Sequence, residues 1–476
     1  MTLPPKYDAV IIGSGPNGLA AALTLAREGW RVLILEAADT IGGGMRTKEL
    51  TLPGFQHDVC STVMSMGTAT SFFRSLPLEK FGVEWVYGQA ALAHPLDGGR
   101  AVIMARNIDE TAAGLGEDAG AYQALMQPLV DHWQALLDEF MGPLPLPPKH
   151  PFLLARAGLK FVQSAEGLAR RSFKTEAARA FVGGLAGHAI MPLSKPASAA
   201  SGLILGMLAH AVGWPIVRGG SQKLADAMGA YLSSLDGEIQ TGVPVADFQQ
   251  LPPARAYLFD LTPRQLIQIA GDRLPSGYIN QLSRYRYGPG VFKIDYALSG
   301  PVPWQAPEVS QAITVHICGS LDEIVQSEAQ MWQGEHPERP YVLFVQSSLY
   351  DPSRAPQGQH TGWAYCHVPS GSTVDMSGPI EAQIERFAPG FKDLVLARHC
   401  MNTQAVQAYN PNYIGGDIIG GVQDLWQQFF RPVPSLSPYR TPLKGVYLCS
   451  SSTPPGGGVH GMSGYHAART ALSDLG

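Results

Sequence analysis

The stretch from Tyr7 to Glu36 constrains the fold of this chain more than any other part of the sequence. It consists of an apolar run, YDAVIIG, a glycine-rich turn, a helix-patterned segment, GLAAALTLAREG, and a second apolar run, RVLILE. Short apolar runs favour buried strands, and the segment between them has the period of a helix. The pattern predicts a β-α-β unit and therefore an α/β fold with a parallel sheet.

The turn of this unit is a dinucleotide-binding fingerprint, made of Gly13, Ser14, Gly15, Pro16, Asn17 and Gly18. Gly13 permits the tight turn, Gly15 lets the backbone approach a pyrophosphate, and Gly18 lets the helix pack closely on the strand. The amino end of the helix offers N–H groups and a favourable dipole to phosphates. Glu36, 18 residues after Gly18, can accept hydrogen bonds from ribose hydroxyls. An acid at this position disfavours a ribose 2′-phosphate, which leaves FAD or NAD.

Composition excludes several other classes of protein. The 476 residues are 45% hydrophobic and 15% charged, enough for two or three domain-sized units. The net charge of −5 has no basic stripe, so no nucleic-acid partner is expected. Five widely spaced cysteines without a C-x-x-C predict a reducing, cytoplasmic location and argue against a metal site or a redox dithiol.

Segments of the nucleotide-binding type fall at both ends and in the middle of the chain. We therefore predict a discontinuous Rossmann-like domain from residues 1–95, 215–285 and 405–476. The intervening 96–214 and 286–404 are predicted to form an inserted α+β substrate domain, with a mixed sheet and a helical part. The most apolar stretch, from Ala197 to Trp214, is too interrupted by serines and glycines to span a membrane. It predicts a buried helix or one in peripheral contact with lipid.

A second G-x-G-x-x-G, formed by Gly456, Gly458 and Gly461, has a different meaning. A Pro-Pro separates it from the preceding strand GVYLC, and no second strand follows it. The acid expected about 20 residues on would lie at or past Gly476. A second β-α-β unit cannot form there, so the match is a coincidence of spacing. A strand, a loop and a helix starting near Met462 remain.

The segment after Glu36 carries a family resemblance. In EAADTIGGGMRT a Gly42-Gly43 pair lies six residues after Glu36, with Arg46 close behind. This resembles the amine oxidase and phytoene desaturase superfamily of flavoproteins, which implies FAD, with its diphosphate and ribityl region lined by Gly42, Gly43, Gly44, Met45 and Arg46. The chain departs from the family at Ala38 and Gly44, where arginine is common.

The carboxyl-terminal segment YLCSSSTPPGGGVHGMSGYHAA is similar to the phytoene desaturase branch. It is more similar still to the pyridine nucleotide-disulphide oxidoreductase domain-containing protein 2 type. The resemblance implies that the last helix faces the flavin ring, with the Met462 N–H as donor. It also implies cofactor contacts from Val245, Ser450, Ser451, Gly458 and Gly461, although serine replaces the usual acid of the strand end.

Lys293 and His460 are the leading catalytic candidates. The segment GPGVFKIDYAL resembles the amine oxidase strand whose lysine holds a water at flavin N5, but Lys293 could equally reach from a surface strand to solvent. His460 and His466 flank the flavin helix and could act as acid or base or simply pack. His57, Asp58, Tyr413 and Asp417 are weaker candidates near the expected ring.

The resemblance implies an FAD-dependent oxidoreductase. A phytoene desaturase-like enzyme would pass hydride from a hydrophobic, isoprenoid or lipid substrate to flavin N5, as a desaturase, dehydrogenase or isomerase. A flavin amine oxidase, suggested by Lys293, is an alternative. A non-catalytic escort or binding protein of the same fold is a second alternative, against which the intact glycine turn and Glu36 argue.

Overall fold

The computed structural model describes residues 6–143 and 147–476, so residues 1–5 of the predicted first domain lie outside the described part. Within these ranges the chain forms sixteen strands: β1 (Ala9–Ile12), β2 (Val32–Leu35), β3 (Thr47–Glu49), β4 (Gln56–Asp58), β5 (Trp85–Val86), β6 (Ala90–Leu96), β7 (Arg100–Ala105), β8 (Ile216–Val217), β9 (Glu238–Gln240), β10 (Ala256–Phe259), β11 (Gly290–Leu298), β12 (Ala312–Ile317), β13 (Val342–Val345), β14 (His360–Val368), β15 (Val395–Met401) and β16 (Val446–Leu448).

The same ranges contain eighteen α-helices, joined by loops and short 3-10 turns: α1 (Pro16–Arg27), α2 (Ser65–Ala69), α3 (Ser71–Arg74), α4 (Ile108–Ala113), α5 (Ala119–Val130), α6 (Trp133–Phe140), α7 (Pro151–Phe161), α8 (Ala165–Ser172), α9 (Glu176–Gly187), α10 (Ser198–Ala211), α11 (Gln222–Ser233), α12 (Pro263–Ala270), α13 (Ser276–Leu282), α14 (Leu321–Trp332), α15 (Ser377–Phe387), α16 (Thr403–Tyr409), α17 (Leu425–Phe429) and α18 (Met462–Leu475).

The first sheet is parallel and has the strand order β16-β10-β1-β2-β9. The predicted β-α-β unit is present, because β1 and β2 pair in parallel on either side of α1 in the sequence. The carboxyl ends of parallel strands meet at one edge of a sheet, where ligands of such folds bind. Gly13, Glu36, Asp260 and Cys449 each follow a strand at this edge.

The second sheet is mixed and has the order β15-β11-β14-β13-β12-β6-β7. All neighbours are antiparallel except β12 and β6. Residues 90–96 therefore belong to this sheet, and we propose a domain boundary before Ala90 rather than at residue 95. The remainder of the predicted division stays a prediction.

The two faces of β11 have different environments. Phe292, Ile294 and Tyr296 point into an apolar core that α15 also contributes to. Lys293 and Asp295 point to the opposite face, since successive side chains of a strand alternate. This second face is the one that borders the functional site.

Helix α10 is an internal element, with most of its residues buried. It lies so close to α9 that a Cβ at Gly202 would be 2.8 Å from the backbone nitrogen of Ala186. The buried-helix interpretation of this stretch therefore agrees with the structure. Among the described residues, no helix is both long and apolar enough to cross a membrane.

Candidate functional site

The glycine turn after β1 is shaped by close packing at each of its three glycines. Gly13 has a φ of +99°, which favours glycine. A Cβ at Gly18 would lie 2.1 Å from the carbonyl oxygen of Gly13, and one at Gly15 would lie 2.5 Å from Asp260 Oδ2. No larger residue fits at 15 or 18 without moving the strand, the helix or Asp260.

Hydrogen bonds from neighbouring residues hold the side chain of Glu36 in place. Its Oε2 accepts hydrogen bonds from the Ser14 backbone N–H at 2.8 Å and the Ser14 hydroxyl at 2.5 Å. Its Oε1 accepts from the Ala38 N–H at 2.9 Å and from Arg46 Nη2 at 3.3 Å. Arg46 also donates to the Thr40 carbonyl at 2.7 Å. These bonds fix the orientation of Glu36 at the carboxyl end of β2.

Asp260 is a central residue of this site that the sequence reasoning missed. Its Oδ2 accepts a hydrogen bond from the Gly18 N–H at 2.9 Å, at the amino end of α1. Burial, together with the negative charge of Glu36, raises the pKa of Asp260 to about 8, although backbone N–H bonds from Gly18 and Gly15 oppose the shift. The strand-edge rule that located Gly13 and Glu36 would also have located Asp260, because it directly follows the strand residues AYLF.

A polar cavity of about 590 Å³ opens at this sheet edge. Most of the predicted cofactor residues line it: Gly13, Ser14, Gly15, Pro16, Asn17, Glu36, Gly43, Gly44, Arg46, Val245, Ser450, Ser451 and Gly458. Five of the predicted cofactor residues do not: Gly18, Gly42, Met45, Gly461 and Met462. The cavity also takes in residues that the sequence did not indicate, among them Asp260, Tyr409 and Ser452.

The second glycine motif serves helix packing. A Cβ at Gly464, in the first turn of α18, would lie 1.8 Å from the Asn17 carbonyl oxygen in α1. Gly461 has a φ of +68°, and a Cβ there would meet the Phe72 ring at 2.7 Å. Gly461, whose Cβ would also lie 3.1 Å from Ala20 of α1, and Gly464 just after the motif therefore allow the last helix to lie against the first. Gly458 and Val459 form the part of the motif that reaches the cavities.

His460 is hydrogen-bonded to two backbone groups, and its catalytic role stays a prediction. Its Nε2 donates to the Gly456 carbonyl at 2.9 Å, and its Nδ1 accepts from the Met462 N–H at 3.0 Å. It is 1% exposed and lines neither large cavity, and burial lowers its pKa to about 4. The Met462 N–H, predicted to face the flavin, is thus already bonded to His460.

A second, apolar cavity of about 250 Å³ adjoins the polar one. The two cavities share six lining residues: Ser61, Tyr409, Tyr413, Ile418, Gly458 and Val459. The rest of the apolar cavity lies between the second sheet and the helical part, with Leu205 and Trp214 at its helical wall. A molecule in the polar cavity and one in the apolar cavity would meet at the shared residues.

Lys293 lines the apolar cavity and is only 4% exposed, so the surface alternative is wrong. Its ammonium forms a short ion pair with Asp295, two residues along the same strand face. The ammonium also lies 5.7 Å from the centre of the Trp363 ring. Lys293 and Cys60 line this cavity together with Tyr413, which also lines the polar cavity.

Of the weaker candidates, Tyr413 lines the cavities, whereas Asp58 and Asp417 are bonded to other groups of the protein. Tyr413 lines both cavities. Asp58 binds Arg354 Nη2 at 2.8 Å; burial would raise its pKa, but this guanidinium brings it down to about 2. Asp417 accepts hydrogen bonds from the backbone of a neighbouring loop, including Gly288 N–H at 2.7 Å and Gly421 N–H at 2.7 Å.

Two more candidate histidines also bond to neighbouring groups of the protein. His57 contacts Thr51 at 2.8 Å through Nε2, and burial lowers its pKa to about 4. His466 Nε2 donates to the Met141 carbonyl at 2.9 Å. Together with Asp58 and Asp417, these residues lie behind the cavity walls and line neither large cavity.

The polar cavity fits a dinucleotide in its chemistry. Asn17 Oδ1 and Ser452 Oγ line it without a hydrogen-bond partner among the described residues. A Cβ at Gly43 would lie 2.9 Å from Gly15 Cα, so the two glycine segments form one narrow cradle. Glycine backbone, a helix amino end and unpartnered polar side chains are the groups that bind pyrophosphate and ribose.

Comparison with known proteins agrees with this arrangement. A family model described as an NAD(P)-binding Rossmann-like domain matches residues 11–76. Pyridine nucleotide-disulfide oxidoreductase domain-containing protein 2 of Rattus norvegicus is 27% identical, over 99% of this chain and 94% of that protein. A limonene dehydrogenase component of Castellaniella defragrans is 22% identical, over 99% of this chain and 95% of that protein. Cyclohexylamine oxidase from Brevibacterium oxydans has a TM-score of 0.61 at 16% identity, over 99% of this chain and 100% of that chain.

The fold is similar to that of cyclohexylamine oxidase, and together with the matched Rossmann-like segment this confirms the predicted α/β class with a Rossmann-like domain. The chain is also similar over its full length to the pyridine nucleotide-disulfide oxidoreductase domain-containing protein 2 type, so that predicted resemblance is confirmed.

Proposed function

We propose that this chain binds FAD and dehydrogenates or isomerises a hydrophobic substrate. The observation that carries the proposal is the junction of the polar and apolar cavities at Tyr409, Tyr413 and Gly458. When bound, the flavin supplies the two-electron chemistry, accepting a hydride at N5 from a substrate carbon. The chain supplies binding, orientation and exclusion of water.

The cofactor would be held by the polar cavity. The glycine turn and the amino end of α1 would face the diphosphate, and Glu36 would face a ribose. Ser450, Ser451 and Gly458 lie at the other side of the cavity, toward the shared wall. The isoalloxazine ring would therefore lie between Tyr413 and the 458–459 backbone.

The substrate would occupy the apolar cavity. Its wall includes Val291, Leu343, Val345 and Met401, which exclude water from the reacting carbon. One full-length relative is named as a component of limonene dehydrogenase, and this name supports a hydrocarbon-like substrate of the isoprenoid kind. Lys293 is the cavity residue suited to hold a water or a proton near the junction, with Asp295 balancing its charge.

The proposal is tested first by spectroscopy. Purified protein is expected to be yellow, with the absorption bands of oxidised flavin, or to take up added FAD. Limonene or another isoprenoid hydrocarbon, added anaerobically, should bleach the bands if net oxidation occurs. Failure to bind FAD would exclude the whole proposal, and bleaching only by amines would exclude the hydrocarbon substrate.

A flavin amine oxidase is the second candidate. Tyr409 and Tyr413 lie at the cavity junction, and Tyr365 and Trp363 line the apolar cavity beyond it. Aromatic rings of this kind can enclose an amine. Release of hydrogen peroxide with cyclohexylamine or putrescine, and not with hydrocarbons, would favour it. FAD-loaded protein that turns over neither class of substrate would favour a binding or escort role.

We also propose a cytoplasmic protein that contacts membranes at α7. Phe152, Leu159 and Val162 are exposed there by 91%, 71% and 46%, beside Arg156 and Lys160. Exposed apolar side chains flanked by cations are typical of helices that lie on anionic lipid. Sedimentation with phosphatidylserine vesicles should fall when Phe152 and Leu159 become serine, and unchanged sedimentation would exclude this contact.

A further inference from the structure

Two carboxyl groups lie at the edge of the polar cavity. Glu36 follows β2 and Asp260 follows β10, and these two strands are the neighbours of β1 in the first sheet. Both side chains line the cavity, and both residues are buried. An anion that enters this cavity therefore meets two acids, and the charge on each of them affects how tightly the anion binds.

The two acids differ in how their charge is compensated. Glu36 Oε1 lies 3.3 Å from Arg46 Nη2, so a cation balances this carboxylate. Asp260 forms no ion pair with any residue in the described ranges, and its Oδ2 accepts a hydrogen bond from the Gly18 N–H at 2.9 Å. A buried carboxyl group without a cation is the one that we expect to become neutral when another anion approaches.

The Asp260 carboxyl group lies against the glycine turn. A Cβ at Gly15 would be 2.5 Å from Asp260 Oδ2, and a Cβ at Gly18 would be 3.1 Å from the same atom. The turn and the amino end of α1 are the groups that would face the diphosphate of a dinucleotide. An ionised Asp260 would repel this diphosphate, whereas a protonated Asp260 would not and could donate a hydrogen bond.

The groups around Asp260 also favour its neutral form. Glu36 on the β2 side is negative, and Cys449 after β16 keeps its proton, because burial and the charge of Asp260 hold the pKa of this thiol well above its usual range. Gln265 of α12 and Asn412, which donates to the Asp260 carbonyl oxygen at 2.9 Å, are uncharged. Burial is the largest cause that raises the pKa of Asp260 to about 8.

We propose that FAD binds this chain together with one proton, which comes from the solvent and is held by Asp260. The inference rests on the proposed function, because it assumes that the polar cavity holds FAD. It adds that the affinity for FAD depends on pH. Where Asp260 is ionised in the empty cavity, it must take up a proton as FAD binds, so the affinity falls as the pH rises.

The test measures the dissociation constant of FAD at pH 6, 7, 8 and 9. FAD-loaded full-length protein is diluted at each pH, and free FAD is separated by ultrafiltration and quantified by its absorbance. We expect similar dissociation constants at pH 6 and 7. The constant should be about tenfold larger at pH 9 than at pH 7, because one proton is then taken up for each FAD that binds.

Two substitutions assign the pH dependence to Asp260. The amide of Asp260→Asn has the shape of the protonated acid and can accept from the Gly18 N–H, but it cannot ionise. Its dissociation constants at pH 7 and 9 should therefore have a ratio of about one. Asp322→Asn, at an exposed carboxylate of α14, is the matched control and should keep the tenfold change. Circular dichroism shows whether each variant is folded.

The outcomes separate this inference from the proposed function. A wild-type dissociation constant that is the same at pH 7 and 9 would overturn the proton coupling, whatever the variants do, and would leave the FAD proposal standing. A tenfold change that persists in Asp260→Asn, or a folded Asp260→Asn that no longer binds FAD, would also overturn it. Absence of FAD binding by the wild type at every pH would overturn the proposed function itself.

Discussion

Gly464 and Asn17 are in direct contact, so close that a Cβ at position 464 would lie 1.8 Å from the Asn17 carbonyl oxygen. The contact joins the first turn of α18 to the first turn of α1, the helix whose amino end faces the polar cavity. The last helix and the glycine turn are therefore positioned by the same few atoms.

Gly464→Ala is expected to separate these helices. The methyl group meets backbone atoms that cannot rotate away, so the free energy of unfolding should fall by at least about 2 kcal/mol. Thermal unfolding measures the loss, and fluorescence titration with FAD measures the accompanying loss of affinity. Gly158→Ala is the control, since it lies within a helix with nothing near its Cβ position. It should be neutral or stabilising by up to about 1 kcal/mol, and equal behaviour of the two variants would contradict the packing account.

Asp260→Asn is expected to change how stability depends on pH. The carboxyl ionises at 3.8 in the unfolded chain and at about 8 in the fold, so the folded state retains its proton between these values. The contribution of Asp260 to the free energy of unfolding is fully present below pH 3.8, and it is lost as the pH rises through 8. The wild type should lose about 6 kcal/mol relative to the variant over this range.

Urea unfolding of the wild type and Asp260→Asn at pH 5, 7 and 9 measures this difference. The control is Asp322→Asn, at an exposed carboxylate on α14 paired with Arg170. A stability difference between wild type and Asp260→Asn that stays constant from pH 5 to 9 would show that Asp260 is ionised throughout.

Lys293 and Asp295 should depend on each other for their effect on the free energy of unfolding. In contrast, only the loss of Lys293 should slow the reaction with substrate in the double variant. Removing either charge leaves the other buried without its partner, which costs about 3–5 kcal/mol. Lys293→Met and Asp295→Asn should each lower the unfolding free energy, and the double variant should recover much of the loss. Flavin bleaching by substrate should be slow whenever Lys293 is absent, including in the double variant. Full activity of the double variant would remove Lys293 from the mechanism.

His460→Gln is expected to affect stability and not the acid-base chemistry. The folded pKa of about 4 is below the usual 6.5, so the native contribution of this ring is complete above pH 6.5 and is lost as the pH falls through 4. The variant should be less stable by about 2 kcal/mol at pH 7 and approach the wild type near pH 4. The pH profile of flavin reduction should keep its shape, and loss of a limb would restore His460 as a catalytic group.

The local sequence pattern predicted the first β-α-β unit of the Rossmann-like domain well. A glycine turn between two apolar runs specifies β1, α1 and β2 almost independently of the rest of the chain, and Glu36 follows from the strand end. These features could be predicted because they are determined by residues that are close together in the sequence.

The roles of the remaining site residues depend on contacts between segments that are far apart in the sequence. The sequence around His460 is compatible with a ring that faces a cofactor and with one that bonds to the backbone. Only the fold shows the bonds of His460 to Gly456 and Met462. His188 contacts His316, which lies 128 residues further along the chain, on β12. Lys293 could be assigned to a cavity only once the partners of β11 were known.

The strands of the first sheet come from distant parts of the chain, with Ala9 of β1 opposite Ala256 of β10, and Tyr257 opposite Val446 of β16. On the ribosome, the glycine turn emerges hundreds of residues before Asp260, Ser450 and α18. One edge of β1 therefore stays unpaired through much of translation, when unpaired strand edges are prone to aggregate. The sheet edge that borders the polar cavity is therefore completed late in synthesis, and cellular chaperones have a long interval in which to act.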